Sequence, residues 1–454
     1  MSGPRDPDSP LDLSLLPASA RIDAGGGVSV GGVALTDLAQ QYGTPLYVYD
    51  EEELRSRCRE YRARFGDHVA YASKAFLCTA MARLVAEEGL MIDVATGGEL
   101  YVALHAGFPP ERIVFHGNNK SVAELETATA AGVGRIMADS FEELDRLESL
   151  TAASEFAGKV LIRVTPGVEA HTHEFIETGT EDSKFGFGLQ SGDALEAARR
   201  VVKSGTLRFG GLHCHIGSQV FRLDSFERAV AHMVELVRSV ERETGATVDE
   251  LNVGGGLGVR YVATDEAPTI AAYADALHRG IDAALASAHT RSRPAIAVEP
   301  GRSIAAPSGL TLYTVGTIKE IVGVRTYVAV DGGMSDNLRP VTYGARYEAF
   351  LPGRAGAARA YVVTVAGKHC EQGDLLVRDA HLPADVEVGD VLVTPVTGAY
   401  GHSMASNYNA VRRPAVVFVR DGRARIVVRR ETFADLVVRD VEAGVTDDPA
   451  GEGD

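Results

Sequence analysis

The sequence has few cysteines, a deficit of basic side chains and no long apolar run, and each shortage excludes a class of protein. Its four cysteines are widely spaced and form no CxxC pair: Cys58, Cys78, Cys214 and Cys370. This usage excludes a disulfide scaffold and fits a reducing compartment. Basic residues number 45 against 62 acidic ones, so the formal charge of −17 disfavours nucleic acid or an anionic membrane as the main partner.

The same shortages predict where the protein works. No apolar run approaches the ~20 residues that cross a bilayer. The first twenty residues lack the basic start and the compact apolar stretch of a secretory signal. We therefore expect a cytoplasmic protein that binds neither nucleic acid nor membrane.

The 454 residues are enough for two or three domains, and the hydrophobic share of 45% is ordinary for a globular protein with a sizeable core. Composition and periodicity predict five segments. They are a flexible N-terminal tail over 1–24, a segment over 25–48 that contributes to a β domain, a barrel over 49–308, a C-terminal β domain over 309–442 and a flexible acidic tail over 443–454.

Eight short apolar runs alternate with segments of helical period in the first part of the chain. The runs begin at His68, Leu90, Arg112, Arg135, Val160, Phe209, Glu250 and Pro294. Eight strand–helix repeats over about 240 residues predict a (β/α)8 barrel, and the apolar strands fit burial on both faces. A doubly wound open sheet is the alternative that the pattern leaves open.

The pattern changes after about Ser308. β-Branched runs of alternating polarity are broken by Gly and Pro turns, which predicts an all-β domain, sandwich-like or barrel-like. The string RDGRA predicts a hairpin, because Asp-Gly favours the turn that joins two antiparallel strands.

Polar residues gather where the predicted barrel strands end, which is the rim on which barrel enzymes place their chemistry. These residues are Lys74, Asp93, His116, Asp139, Arg163, His215 and Glu299. A lysine buried at a strand end can form a Schiff base when neutral, although Lys74 also fits a side chain that extends into solvent at a rim. The run GGGLG at 254–258 lets backbone N–H groups approach an anion, or forms a tight turn without a ligand.

Other candidates are similarly ambiguous when taken one at a time. Glu299 could hold a pyridine nitrogen protonated, or form a structural salt bridge with Arg302. His213 and His215 fall on the same face of a strand, where an imidazole could stack on a flat cofactor. Zinc is the rival for this pair, but no third ligand lies nearby in the sequence. Cys370 beside Glu371 could donate a proton, or could be an inert thiol.

Taken in order, these strings resemble the fold-type III pyridoxal-phosphate decarboxylases, and most closely their diaminopimelate branch. The resemblance runs from about Pro45 to about Arg413. The matching strings are YASKA, HTHEFIETG, SKFGFG, HCHIGSQ, GGGLG, EPGR, DGGMSDNLRPVTYGA, HCEQGD and GAYGHSMASNYN. Two positions depart from the branch, Gln372 where Ser is frequent and His402 where an aromatic residue is common.

The resemblance implies an N-terminal barrel, a C-terminal β domain, pyridoxal 5'-phosphate as cofactor and a homodimer with shared active sites. As catalytic residues it implies Lys74, which would bind the cofactor aldehyde, His215, which would stack on the ring, and Cys370, which would donate a proton. The other implied cofactor contacts are Ser218, Gly254, Gly255, Gly256, Glu299, Gly301, Arg302 and Tyr400. The implied substrate contacts are Arg302, Arg339, Tyr343, Glu371 and Tyr400, with Cys370 and Glu371 reaching in from the partner subunit. No metal ion is implied.

The expected activity is removal of CO₂ from meso-2,6-diaminopimelate to give L-lysine. A pyridoxal ring is needed because the carbanion left at Cα is too unstable to form without an electron sink. Three alternatives stay open at this point. They are a decarboxylase for ornithine, arginine or carboxynorspermidine, an amino-acid racemase on the same barrel, and a non-catalytic relative without cofactor.

Overall fold

The structure is a computed structural model that describes residues 11–153, 156–167, 183–288, 290–291 and 293–441. The chain begins with a small antiparallel sheet. The first elements of the chain, in order, are β1 Arg21–Ile22, β2 Val28–Val30, β3 Val33–Ala34, α1 Leu35–Tyr42 and β4 Leu46–Asp50. Strands β1, β2 and β3 pair with one another, whereas β4 belongs to the C-terminal sheet.

Within the described residues, eight parallel strands follow in sequence order and form a barrel. They are β5 Ala70–Ala72, β6 Met91–Val94, β7 Ile113–Phe115, β8 Arg135–Ala138, β9 Lys159–Thr165, β11 Phe209–Cys214, β12 Glu250–Asn252 and β13 Ala295–Ala297. A short extra strand, β10 Phe187–Gly188, pairs with the end of β9. The barrel closes where Val298 donates its N–H to the His68 carbonyl at 3.0 Å and accepts the Ala70 N–H at 2.9 Å. The predicted barrel is therefore confirmed, and the doubly wound alternative is wrong.

Helices surround the barrel and connect it to the second domain. They are α2 Glu51–Phe65, α3 Thr79–Glu87, α4 Gly97–His105, α5 Val122–Ala131, α6 Phe141–Ala153, α7 Asp193–Lys203, α8 Leu223–Thr244, α9 Ile270–Ala288, α10 Arg302–Ser308 and α11 Arg339–Tyr343. Local sequence fixes their ends, as α5 illustrates. Ser121 and Glu124 form a capping box at its start, and Gly132 ends it in a left-handed conformation that glycine adopts without strain.

The C-terminal domain is mostly β, as the sequence predicts. Its strands are β14 Gly309–Ile321, β15 Arg325–Val330, β16 Tyr361–Ala366, β17 Leu375–Leu382, β18 Val391–Pro395, β19 Ala415–Arg420 and β20 Arg423–Val428. Strand β4 lies between β14 and β19, so a segment that precedes the barrel is part of this sheet. The predicted hairpin joins β19 to β20, with Asp421 and Gly422 both at positive φ.

The structure describes part of the stretch over residues 1–24 for which the sequence predicts a flexible tail, and this part packs against the rest of the chain. Leu11, Leu15, Leu16 and Ala20 are buried, and three of them pack in the cluster that also contains Val48 of β4. Composition suggested disorder because this stretch is rich in Pro, Ser and Asp. Its few leucines are sufficient to anchor it, since each buries apolar surface against the β domain. The C-terminal tail over 443–454 lies outside the described residues.

Among the described helices, none has the length and apolar character that a membrane crossing requires.

A buried ion pair joins two neighbouring strand ends of the barrel. The Lys120 Nζ donates to the carbonyls of Gly117 and Met137 at 2.7 and 2.8 Å and to Glu143 Oε1 at 2.6 Å. The second Glu143 oxygen accepts the Asp139 N–H at 3.1 Å. Lys120 thereby connects the segment after β7 to the end of β8 and to α6.

We expect Lys120→Met to destabilise the protein by about 3–5 kcal/mol, because Glu143 would keep a buried charge without its partner. Urea unfolding measures the loss. Lys159→Met is the matched control, since the Lys159–Asp249 pair is partly exposed and its loss should cost about 1 kcal/mol or less. Equal losses in the two variants would contradict the assignment.

Candidate active site

A cavity of about 310 Å³ opens at the end of the barrel where the strands finish. This volume lies in the range of small-molecule sites. Of the residues that the sequence predicts, the structure brings together around this cavity Lys74, His215, Ser218, Gly255, Gly256, Glu299, Gly301, Arg302, Arg339, Tyr343 and Tyr400. Residues from the barrel and from the C-terminal domain thus share one site.

Lys74 lies in a short 3-10 turn, Ser73–Ala75, directly after β5. Its side chain lines the same cavity as Gly255 and Gly256 of the glycine turn. The side chain is exposed because the cavity itself is open to solvent, while its neighbours Ser73 and Ala75 are buried. Its amine can therefore meet a small molecule held against the glycine turn.

Glu299 is the best-connected carboxylate of the cavity. It follows β13, is only 6% exposed, and its Oε1 contacts His116 Nε2 at 2.8 Å. The same oxygen accepts from Asn252 Nδ2 at 2.8 Å, and Oε2 contacts His213 Nε2 at 3.0 Å. Its partners come from the ends of β7, β11 and β12, so this cluster spans the mouth of the barrel.

The cluster keeps Glu299 ionised. Burial by itself raises the pKa of this carboxyl, but the positive charge of His116 and the hydrogen bonds from His116 and His213 outweigh burial and hold the pKa well below 4.5. Burial also opposes a charge on His116, yet Glu299 and Asp93 overcome it and raise the pKa of His116 above 6.5. Burial lowers the pKa of His213 to about 4, so His213 donates as a neutral imidazole.

His215 faces the cavity as a neutral ring. Burial first, and then the charges of Lys74 and Arg163, lower its pKa well below 6.5. Its Nδ1 accepts the Gly255 N–H at 3.3 Å, which assigns the ring proton to Nε2. A neutral imidazole in this position presents a flat face rather than a charge.

The glycine turn approaches its neighbours too closely for any side chain. A Cβ on Gly255 would lie 2.2 Å from the Glu299 carbonyl oxygen. Gly256 has φ +116°, and a Cβ there would lie 2.5 Å from the Gly217 carbonyl. The backbone therefore forms part of the cavity wall, which suits the binding of an anion by N–H groups.

Three guanidinium groups line the cavity, those of Arg163, Arg302 and Arg339. Arg302 donates through Nε and Nη2 to Ser218 Oγ at 3.2 and 2.8 Å, and its guanidinium lies 4.7 Å from the centre of the Tyr400 ring. Arg339, the first residue of α11, is 5% exposed and donates to the Tyr347 hydroxyl. Arg302 and Arg339 thus bring positive charge to the same cavity as the ionised carboxylate of Glu299.

Comparison with known proteins places this site in a family. Residues 51–306 match the model of the pyridoxal-binding domain of pyridoxal-dependent decarboxylases. Diaminopimelate decarboxylase of Mycobacterium tuberculosis is 50% identical over 441 residues, 95% of this chain and 98% of the relative. That of Bacillus subtilis is 47% identical over 431 residues, with 94% and 98% covered. The chain belongs to the diaminopimelate decarboxylase family.

Solved structures of the family agree with the fold. The diaminopimelate decarboxylase of M. jannaschii in complex with L-lysine has a TM-score of 0.86 and 35% identity, covering 94% of this chain and 98% of that one. That of Helicobacter pylori with L-lysine has a TM-score of 0.81 and 32% identity, with 89% and 98% covered. The family resemblance read from the sequence is confirmed.

Two residues of the family motif HCEQGD lie away from the cavity of the described chain. Cys370 is exposed, and its N–H donates to Asn409 Oδ1 at 2.9 Å. Glu371 is also exposed and accepts the Tyr408 hydroxyl at 3.5 Å. The motif HTHEFIETG at 171–179 lies outside the described residues.

The sequence alone does not identify the carboxylate's partners. His116 and His213 stand at strand ends, but nothing in their spacing shows that both contact Glu299, and Asn252 carries no motif signal. The ligand atoms of His116, His213 and Glu299 lie within 4.8 Å of one another and could hold a metal ion. Their mutual hydrogen bonds already account for this proximity.

The raised pKa of His116 predicts a pH dependence of stability. Its contribution is complete below 6.5 and is lost as pH rises through the folded-state value. We therefore expect the gap in unfolding free energy between the wild type and His116→Gln to narrow from about pH 6 to about pH 9. Urea unfolding of the cofactor-free protein measures the gap, with His278→Gln on α9 as the control. A gap that widens with pH would refute the charged imidazole.

Proposed function

We propose that the protein removes CO₂ from meso-2,6-diaminopimelate and gives L-lysine, with pyridoxal 5'-phosphate as cofactor. One observation carries this proposal: a single cavity contains a lysine amine, an ionised carboxylate held by hydrogen bonds, a glycine turn and three guanidinium groups, those of Arg163, Arg302 and Arg339. The family relatives at 47–50% identity carry the same activity in their names.

The residues present fit the cofactor at its two ends. When bound, pyridoxal phosphate supplies an electron sink for the carbanion that loss of CO₂ leaves behind. An ionised carboxylate has about four acceptor positions, and three are filled by His116, His213 and Asn252. Glu299 thus retains one position on Oε2 for a ring N–H, and its negative charge favours the protonated ring.

The remaining cofactor contacts follow from position. Lys74 offers the amine for the aldehyde, and the neutral ring of His215 offers a face on which a flat ring can stack. The phosphate would be held by Ser218 and the glycine turn of Gly254, Gly255 and Gly256, in which the N–H groups of Gly254 and Gly255 donate to Asn252 Oδ1 and His215 Nδ1 and so fix the turn against the cavity. A Cβ on Gly301 would lie 2.9 Å from Ala72, so only glycine fits in this part of the cavity wall.

The substrate contacts account for the choice of amino acid. Arg302, Arg339, Tyr343 and Tyr400 line the same cavity as the cofactor contacts. A guanidinium binds a carboxylate with two parallel hydrogen bonds. Diaminopimelate has a carboxylate at each end, whereas ornithine has only one, so a cavity with several guanidinium groups suits diaminopimelate better.

We further propose that the protein acts in the cytoplasm as a homodimer in which Cys370 and Glu371 complete the partner's site. The loop that carries them is fixed although it is exposed. His369 is buried, and its Nδ1 and backbone N–H contact Asp374 Oδ2 at 2.7 and 2.9 Å. Its ring also stacks on Tyr408 at 5.7 Å. A rigid loop with an outward thiol suits insertion into a second subunit, where Cys370 would deliver the proton to Cα.

A substrate panel tests the activity. We expect CO₂ release from meso-diaminopimelate and none from ornithine, together with cofactor absorbance near about 420 nm that Lys74→Ala abolishes. Release from ornithine instead would favour the alternative decarboxylases. Loss of label from Cα without CO₂ would favour a racemase, and a colourless wild type would favour a non-catalytic relative.

Mixing two inactive variants tests the shared site. Cys370→Ala should lower turnover by roughly 10²–10⁴-fold and keep the cofactor colour, since it removes only a proton donor. Mixing it with Lys74→Ala should restore about one quarter of wild-type activity, because half of the random dimers contain one intact site. If the mixture stays inactive after subunit exchange is demonstrated, Cys370 does not act across a subunit interface.

A further inference from the structure

Tyr261 contacts two of the cavity's guanidinium groups, those of Arg302 and Arg339, and neither a motif nor a cofactor role accounts for it. It lies three residues beyond the glycine run 254–258 and is 4% exposed. Its hydroxyl accepts from Arg302 Nη1 at 2.7 Å. The guanidinium of Arg339 lies 4.3 Å from the centre of its ring. One side chain therefore contacts both arginines, through two different parts.

The two contacts are chemically distinct. The hydroxyl fixes one terminal nitrogen of Arg302, and Ser218 fixes Nε and Nη2. One N–H on each terminal nitrogen is then left for a ligand, which is what a two-point contact with a carboxylate requires. The ring face, in contrast, attracts Arg339 without using any of its N–H groups.

Tyr347 supports the same arrangement from the far side. Its ring meets that of Tyr261 edge-on at 5.2 Å, and its hydroxyl accepts from Arg339. Arg339 therefore keeps a fixed orientation despite the like charge of Arg302 nearby. Without an ordered spacer, two like charges in a buried site would repel and spread apart.

We infer that Tyr261 is a positioning residue that sets the spacing and orientation of Arg302 and Arg339, and thereby selects a substrate with a carboxylate at its distal end. This inference rests on the proposed function and deepens it. The glycine run 254–258 would bind the cofactor, and Tyr261, three residues further along the chain, would orient the two arginines that bind the substrate.

Two ligands that differ by one carboxylate isolate the effect. L-Lysine keeps the distal carboxylate, whereas 1,5-diaminopentane is the same chain without it. The holoenzyme is titrated with each, and the change in cofactor absorbance gives the dissociation constants. The dissociation constant of 1,5-diaminopentane divided by that of L-lysine is the ligand ratio. In the wild type, this ratio reports what the distal carboxylate contributes to binding.

We expect Tyr261→Phe to reduce this ratio about tenfold, which corresponds to about 1.4 kcal/mol, because one hydrogen bond to a charged group is lost. KM for meso-diaminopimelate should rise by a similar factor while kcat stays within about twofold. Tyr261→Leu, which also removes the ring face, should reduce the ratio further. Tyr361→Phe is the matched control, since it removes a hydroxyl bonded to Thr326 in the β domain and should change neither value.

Different results of these measurements would contradict the role of Tyr261 and the proposed function. An unchanged ratio in Tyr261→Phe overturns the inference, as does a fall in kcat as large as the rise in KM. Thermal unfolding of each variant shows whether the fold is intact, and the Phe variant decides the matter if the Leu variant does not fold. If the wild type released no CO₂ from diaminopimelate, the proposed function would fail, but the ligand ratio would still test Tyr261.

Discussion

The buried carboxylate of Glu299 is the constraint on which the cavity depends. A carboxylate removed from water is costly unless it is paired and hydrogen-bonded. Here the compensation comes from His116, His213 and Asn252, each from a different strand end. The charge can therefore be tolerated only when the barrel is closed and these strands stand in their native register.

This arrangement divides the site electrostatically. Glu299 supplies a fixed negative charge at the strand ends, and Arg302 and Arg339 supply positive charge where they contact Ser218 and Tyr347. A ligand with a basic nitrogen at one end and anionic groups at the other is complementary to this division. Because the groups are already oriented by hydrogen bonds, they lose little freedom when a ligand binds, which favours strong electrostatic stabilisation of reacting charges.

The sequence was sufficient for the barrel because each strand is short, apolar and followed by a polar residue at the rim. Lys74, His215 and Glu299 could be predicted as candidates since strand ends converge on one side of any barrel. Their partners could not. His116 and Glu299 are 183 residues apart, and their contact depends on the closure of the barrel rather than on local periodicity.

Two further features of the structure could not be predicted from the sequence for the same physical reason. The N-terminal stretch has the composition of a disordered tail, yet Leu11 and Leu16 are buried with a strand that begins only at Leu46. Tyr261 follows a recognisable motif but carries no signal of its own, because a tyrosine in a loop is more often a packing residue. In both cases the deciding contact is made with a distant segment, so local patterns understate it.

The Cys370 loop shows how the cavity and the surface are related. The cavity supplies groups that bind, orient and hold charge, but among the described residues that line it there is no thiol. A buried His369–Asp374 pair nevertheless holds this loop in place, although the next side chain, that of Cys370, faces solvent. Ordering an exposed loop costs conformational entropy, and the buried His369–Asp374 contact offsets part of that cost. In the proposed homodimer, this ordered loop would present Cys370 to the cavity of a second copy of the chain.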